Sequence, residues 1–248
     1  MSLISLDNVA FGYSRKQQVL HDVSFNLRSG VNVGLVGESG SGKSTILKLL
    51  LGLARPTGGR IQFGDAELNP GDRAFMRDYR RAVQAVFQDP YSSLDPRQKV
   101  QSIIAEPLRA LRIPGSHQEA VEKAIHDVGL PVDAIDRYPH EFSGGQRQRI
   151  AIARAIVARP QLILADEAVS ALDLSTRARI VDLLKALSEE MTILLVSHDL
   201  AVVAALCEEI VILEKGKVVE SGRTADILAN PAHPYTQKLL ASVPRMPA

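Results

Sequence analysis

The residues Gly37-Glu38-Ser39-Gly40-Ser41-Gly42-Lys43-Ser44-Thr45 carry the spacing Gly-x4-Gly-Lys-Ser, which wraps main-chain amides around phosphate oxygens. The glycines let the backbone curl so that several N–H groups converge on one anion. Lys43 reaches the outer oxygens, and the Ser44 hydroxyl suits a magnesium ion. Two carboxylates, Asp166 and Glu167, close the apolar run Leu162-Ile163-Leu164-Ala165. Acids at the C-terminal end of a buried strand lie where parallel sheets present their ligands. Asp166 there is suited to hold magnesium through water, and Glu167 to act as a general base or to orient water for attack on a terminal phosphate.

Four further positions gain meaning from that pair of motifs. Ser143-Gly144-Gly145-Gln146 reads as a second phosphate-contacting helix start, with Ser143 able to cap it and two glycines leaving amides unshielded. His198, in Val196-Ser197-His198-Asp199, ends another apolar run and could touch a terminal phosphate; taken alone it reads as a strand-end histidine. Gln88 follows Val86-Phe87 and could reach magnesium or the attacking water, while by spacing alone it is a surface turn residue before Asp89-Pro90. Tyr13 could stack on a base, or pack as an ordinary strand aromatic. Arg147, Arg149 and Arg154 read as a solvated helical face, not a nucleic-acid patch. The other histidines show no metal-ligand spacing.

Positioning these groups takes strands that end in loops. Val33-Gly34-Leu35-Val36 is a short unbroken apolar run, the pattern of a strand buried on both faces, and it leads into the glycine loop. Ser44 to Leu53 follows with helical spacing. Leu3–Leu6, Val23–Leu27 and Ile61–Phe63 read as strands of an N-terminal antiparallel part. Ala82–Phe87, Leu162–Ala165, Ile193–Val196 and Ile210–Leu213 read as buried strands, with a helix over Thr176–Leu187. Between Gln88 and about Pro160 the pattern turns helical, over Ser102–Leu111, Gln118–Val128 and Ser143–Ala158. The expectation is one domain, 1–248, of mixed α/β class. It has a core at 1–88 and 161–223, an inserted helical subdomain at 89–160 and a short C-terminal extension at 224–248.

Bulk properties set bounds. The 248 residues carry a net charge of +1, which gives no electrostatic reason to expect nucleic acid or anionic lipid. Cys207 stands alone, which excludes an internal disulfide and suits a reducing compartment. The first residues lack the basic start and apolar stretch of a secretion signal, so the expectation is a cytosolic chain. No window holds the ~18 consecutive apolar residues that a bilayer span needs.

Together these residues resemble the ATP-binding subunit of ABC transporters, and the resemblance covers nearly the whole chain. It implies a P-loop NTPase core with an inserted helical subdomain, ATP and Mg2+ as cofactors, and ATP hydrolysis. In that family's terms Tyr13 stacks on adenine, Gly37 to Thr45 form the Walker A loop, Gln88 is the Q-loop, and Ser143 to Gln146 are the signature. Asp166 and Glu167 are the Walker B pair, Ser170-Ala171-Leu172-Asp173 the D-loop, with Asp173 among the nucleotide-binding residues, and His198 the switch histidine. The catalytic set implied is Glu167, His198, Gln88 and Lys43, with Ser44, Gln88 and Asp166 at the metal. The partners implied are a second ATPase subunit, identical or paralogous, joined head to tail so that each signature closes over the other's ATP. Two integral membrane permease subunits and, indirectly, an extracytoplasmic substrate-binding protein complete the set, and the place is the inner face of the cell membrane.

A narrower resemblance rests on Phe87-Gln88-Asp89-Pro90-Tyr91-Ser92-Ser93-Leu94-Asp95-Pro96-Arg97 and His233-Pro234-Tyr235-Thr236-Gln237. Both look like the importers of oligopeptides, dipeptides and nickel. Some of those ATPases carry a cysteine-held cluster, for which one cysteine is not enough, so this chain resembles the shorter, cluster-free partner. Two departures stand out: Phe142 where leucine is usual, and Ala168-Val169 where Pro-Thr is commonest after the Walker B pair. Two other functions fit the motifs, a soluble ABC ATPase without a membrane partner and a weakly hydrolysing regulatory subunit. The fused cassettes, long coiled-coil insertions and basic tracts usual in the soluble relatives are missing here.

Overall fold

The computed structural model describes residues 2–14, 17–170 and 172–241. Its strands are β1 (Ser2–Ser14), β2 (Gln17–Arg28), β3 (Val33–Val36), β4 (Gly58–Phe63), β5 (Ala66–Glu67), β6 (Val83–Val86), β7 (Leu162–Asp166), β8 (Thr192–Ser197), β9 (Glu209–Glu214) and β10 (Lys217–Arg223). The helices are α1 (Lys43–Leu50), α2 (Arg73–Ala82), α3 (Pro90–Ser93), α4 (Val100–Ile104), α5 (Glu106–Ala110), α6 (His117–Asp127), α7 (Gly144–Ile156), α8 (Leu174–Leu187), α9 (Leu200–Leu206), α10 (Thr224–Ala229) and α11 (Pro234–Ala241). They form two compact units, Met1–Met76 with Thr192–Ala248, and Arg77–Met191.

The first unit holds the glycine loop. β1 pairs antiparallel with both β2 and β4, and β5 pairs antiparallel with β4 at the sheet's edge. β3 lies between β8 and β9, parallel to both, and β10 folds back antiparallel on β9. All four residues of β3 are buried, as its unbroken apolar run requires of a strand covered on both faces. The start of β3 is fixed by Asn32, a buried amide. Its Oδ1 accepts from Ile193 N at 2.9 Å, its Nδ2 donates to Leu206 O at 3.2 Å, and its N–H donates to Glu208 Oε2 at 2.7 Å. Buried polar groups need such partners, so Asn32 ties β3 to its neighbours in one register. After the loop, α1 turns Ile46, Leu49 and Leu50 fully inward. Each such burial is worth about 1.5–3 kcal/mol relative to exposure.

The second unit contains the parallel pair β6 and β7 and the helices α3 to α8. At its centre α7 buries Ile150, Ala151, Ile152, Ala153, Ala155 and Ile156, so its small and branched side chains let α3, α4 and α6 pack closely around it. Two elements differ from the sequence reading. The single helix expected over Ser102–Leu111 is two, α4 and α5, because Pro107 lies in the first turn of α5 and cannot continue a helix from α4. A helix with no counterpart in that reading, α2, forms over charged residues. Asp72 caps it by accepting from Ala74 N and Phe75 N, and Met76 and Tyr79 are buried on its one apolar stripe.

Candidate nucleotide-binding site

In the first unit, β3 delivers the chain into the glycine loop and α1 carries it away. A Cβ on Gly37 would stand 2.3 Å from Leu213 O, so only glycine fits between the loop and β9. Gly42 adopts φ +112 as the N-cap of α1 and makes no side-chain cap bond. An uncapped helix start keeps its first N–H groups for an anion. Lys43 is 7% exposed, and its ammonium donates to Gly37 O at 2.6 Å and Glu38 O at 2.9 Å, across the mouth of the same loop. The Ser41 hydroxyl is buried with no hydrogen-bond partner among the described residues. An uncapped helix, a lysine folded onto the loop and an unpaired buried hydroxyl together suit a polyphosphate. Ser44, beside them, is exposed, and so open to a metal ion.

Two other expected residues belong to this unit. The register pairs Val36 of β3 with Ser197 of β8, so Gly37 and His198 leave the sheet from adjacent strand ends. His198 is exposed there, and Asp199 turns the chain into α9 by accepting from Ala201 N at 3.0 Å. Tyr13 presents a ring 57% exposed, edge-on to Phe11, with the Lys48 ammonium 5.9 Å from its centroid. Hydrogen bonds from Thr45 and then Lys48 lower the Tyr13 phenol below its ordinary range. Both partners lie on α1, so this open aromatic face stands beside the helix that begins in the loop.

The second unit holds the remaining positions. Val86 pairs with Ala165, so Gln88 and the Asp166-Glu167 pair leave adjacent strands. Gln88 is exposed. Glu167 takes φ +44, a left-handed conformation that costs a residue with a Cβ of order 1 kcal/mol. Its carbonyl accepts from both the N–H and the hydroxyl of Ser170 at 3.0 Å, which locks the turn. Ala168 and Val169 are each 2% exposed, so the departure from Pro-Thr places two apolar side chains in a buried turn.

Ser143 and Gln146 close a capping box at the start of α7. Ser143 Oγ accepts from Gln146 N at 3.4 Å, and Gln146 Oε1 accepts from Ser143 N at 3.0 Å. The Gly144 and Gly145 N–H groups remain without an intrahelical acceptor. Gly145 has a further reason to be glycine: a Cβ would lie 2.3 Å from Thr176 Cγ2 in the first turn of α8. Asp173 caps that turn, and hydrogen bonds from Thr176 and Ser175 hold its carboxyl well below the usual carboxylate range. Ala171 of the D-loop lies outside the described residues.

The arginines after the signature are not a solvated face. Arg147 donates to Pro139 O at 2.7 Å and lies 4.1 Å over the Tyr91 ring. Arg149 donates to Val128 O, and Arg154 to Ser93 O at 2.6 Å. Each ties a helix or loop end to α7, a role that charge counting along the helix does not reveal. Among the described residues no group of three or more His, Cys, Asp or Glu could hold a metal.

Residues 20–170 match the family model described as ABC transporter. The chain belongs to the ABC transporter family. It is an ATPase of that family's ATP-binding type, and residues 219–248 match a second model, described as oligopeptide/dipeptide transporter, C-terminal region. It is 45% identical over 250 residues to a putative peptide import ATP-binding protein of Brucella ovis, covering 98% of this chain and 78% of that one. It is 44% identical to the dipeptide transport ATP-binding protein DppF of Escherichia coli, with coverages of 95% and 72%. Among solved structures, the post-hydrolysis dimer of the ATP-binding cassette MJ0796, bound to ADP and Pi, superposes with a TM-score of 0.79 at 30% identity. It covers 89% of this chain and 98% of that one. The fold is that of an ABC cassette, a P-loop NTPase. Among the described residues no helix is long and apolar enough to cross a membrane.

Sequence reasoning missed the residues that hold the loop from outside. Gly216 N donates to Ser41 O and Gly216 O accepts from His21 N, both at 2.8 Å, and Tyr235 Oη accepts from Glu38 N at 2.8 Å. The one available signal was the His-Pro-Tyr-Thr-Gln run itself, which marks a subfamily without saying what it touches.

Proposed function

We propose that this chain is the ATP-hydrolysing subunit of an importer of peptides, working on the inner face of the cell membrane. Its partners are a second ATP-binding subunit joined head to tail, two integral membrane permease subunits and, through them, an extracytoplasmic binding protein. The observation that carries this reading is the match of residues 219–248 to the oligopeptide/dipeptide transporter C-terminal region. The peptide and dipeptide relatives support it and favour peptides over the nickel chelates that the sequence motifs leave equally open.

The residue roles belong to the same proposal. Tyr13 stacks on adenine, residues 37–45 hold the phosphates through the Lys43 ammonium and loop amides such as Lys43 N and Ser44 N, and His198 contacts the terminal one. The oxygens of Ser44, Gln88 and Asp166 are of the hard type that magnesium takes, and that ion, when bound, would offset phosphate charge. Glu167 takes the proton of the attacking water. Gly144 and Gly145, with Ser143 and Gln146, serve the ATP held by the partner subunit, and Asp173 keeps the neighbouring turn in shape.

The test is co-purification from membranes followed by uptake into proteoliposomes. Uptake of di- and oligopeptides with ATP inside supports the proposal; uptake of nickel chelates alone, or purification without any integral membrane subunit, overturns it. Glu167→Gln should retain ATP binding and lose turnover by about 10²–10⁴-fold, because an amide cannot accept the proton. Turnover equal to wild type would remove Glu167 from its role.

A further inference from the structure

The His-Pro-Tyr-Thr-Gln run lies far from the glycine loop in sequence, yet nearly every residue in it is committed to reaching that loop. Glu220 on β10 anchors the run, accepting from Ala232 N at 2.9 Å and His233 N at 3.1 Å. Burial opposes ionisation of Glu220, and the nearby Thr236 hydroxyl together with those two N–H groups outweighs it, so its carboxyl stays below the usual carboxylate range. His233 starts α11: its Nδ1 accepts from Tyr235 N at 3.2 Å and its carbonyl from Gln237 N at 3.1 Å. Pro234 fills the first helical position, where a missing N–H costs nothing. Gln237 reaches back to Pro231 O at 3.0 Å.

This frame presents Tyr235, a ring only 7% exposed, so that its hydroxyl accepts from Glu38 N at 2.8 Å. One turn on, the Lys238 ammonium lies 3.2 Å from Glu38 Oε1. The N–H that Tyr235 takes belongs to the same peptide group whose carbonyl, on Gly37, accepts from Lys43 Nζ at 2.6 Å. A trans peptide is a rigid plane with N–H and C=O on opposite edges. Tyr235 therefore grips one edge of a bar whose other edge holds the loop lysine. Hydrogen bonding at the N–H also makes the carbonyl a better acceptor.

We propose that Tyr235 is a positioning residue of the nucleotide site: it fixes the Gly37–Glu38 peptide from which Lys43 reaches phosphate, so the C-terminal segment sets the loop's affinity for ATP. This rests on the reading of residues 37–45 as the ATP phosphate loop.

The test compares wild type and Tyr235→Phe as full chains. ATP binding with magnesium is read by calorimetric titration, and turnover by KM and kcat. Phenylalanine keeps the ring and removes only the acceptor. The expected result is a rise of about three- to tenfold in both Kd and KM, the value of one hydrogen bond, with kcat within about twofold. A variant that is less heat-stable but binds ATP as wild type does would reduce Tyr235 to packing and overturn the proposal. Glu220→Gln, which loosens the anchor without touching the loop, should raise Kd in the same direction by a smaller factor. Should Tyr235→Phe fail to fold, an unchanged Kd in Glu220→Gln overturns the proposal. Lys238→Met, which removes only an exposed ion pair, should change Kd by less than about twofold. Wild type that binds ATP beside an unaltered Tyr235→Phe defeats the positioning role alone, whereas wild type that binds none defeats the loop assignment as well.

Discussion

Two helix starts in this molecule carry glycines beside a serine, and they are built in opposite ways. At α1 the N-cap is Gly42, left-handed and without a side chain to offer, so no side chain caps its first amides. Its shape is imposed from outside, by Gly216 on Ser41 and Tyr235 on Glu38. At α7 the N-cap is Ser143, which with Gln146 satisfies the helix start internally and leaves two glycine amides over. A start held from outside suits a site that receives most of a ligand's charge. A self-capped start keeps its form without a ligand, which suits the role proposed for α7 at a partner's ATP.

Three substitutions test the contrast, the largest effect first. Lys43→Ala should abolish measurable ATP binding while the fold persists, because the outer phosphates lose the one cation the loop supplies; micromolar binding in a titration would break the comparison at its stronger end. Gly145→Ala should leave ATP binding intact and impair turnover. It should destabilise the fold by about 1–3 kcal/mol through overpacking against Thr176, where alanine in a helix otherwise stabilises. Adding Thr176→Ser, which deletes the clashing methyl, should restore both; no rescue would mean that the glycine serves something other than the close approach to α8. Ser143→Ala should cost about 1 kcal/mol in chemical denaturation, the value of a helix cap. A loss of ATP binding to the single chain there would mean that α7 holds its own nucleotide.

Much of this was legible in the residues. Apolar runs such as Val33–Val36 and Leu162–Ala165 announce buried strands because a strand covered on both faces has no polar side to alternate with. The capping box of α7 is written in Ser143 and Gln146. Helix α2 escapes the sequence reading because five of its ten residues are charged and only Met76 and Tyr79 are buried, although Phe75, Met76, Tyr79 and Ala82 recur at helical spacing. Pro107 gave fair warning of the break between α4 and α5. The arginines of α7 illustrate another limit, since a guanidinium facing water and one bound to a distant carbonyl share the same spacing. Least visible of all was the bond from Glu38 to Tyr235, whose partners stand 197 positions apart and follow no local pattern.

The order in which the chain is made gives the central place of β3 one more meaning. The strand that launches the phosphate loop is synthesised early, but its hydrogen-bonding neighbours on either side are β8 and β9, which emerge from the ribosome more than a hundred and fifty residues later. Pairings at such separation form late and slowly. A nascent chain thus carries the glycine loop through most of its synthesis without the floor that shapes it, and acquires a working phosphate grip only as its last strands arrive.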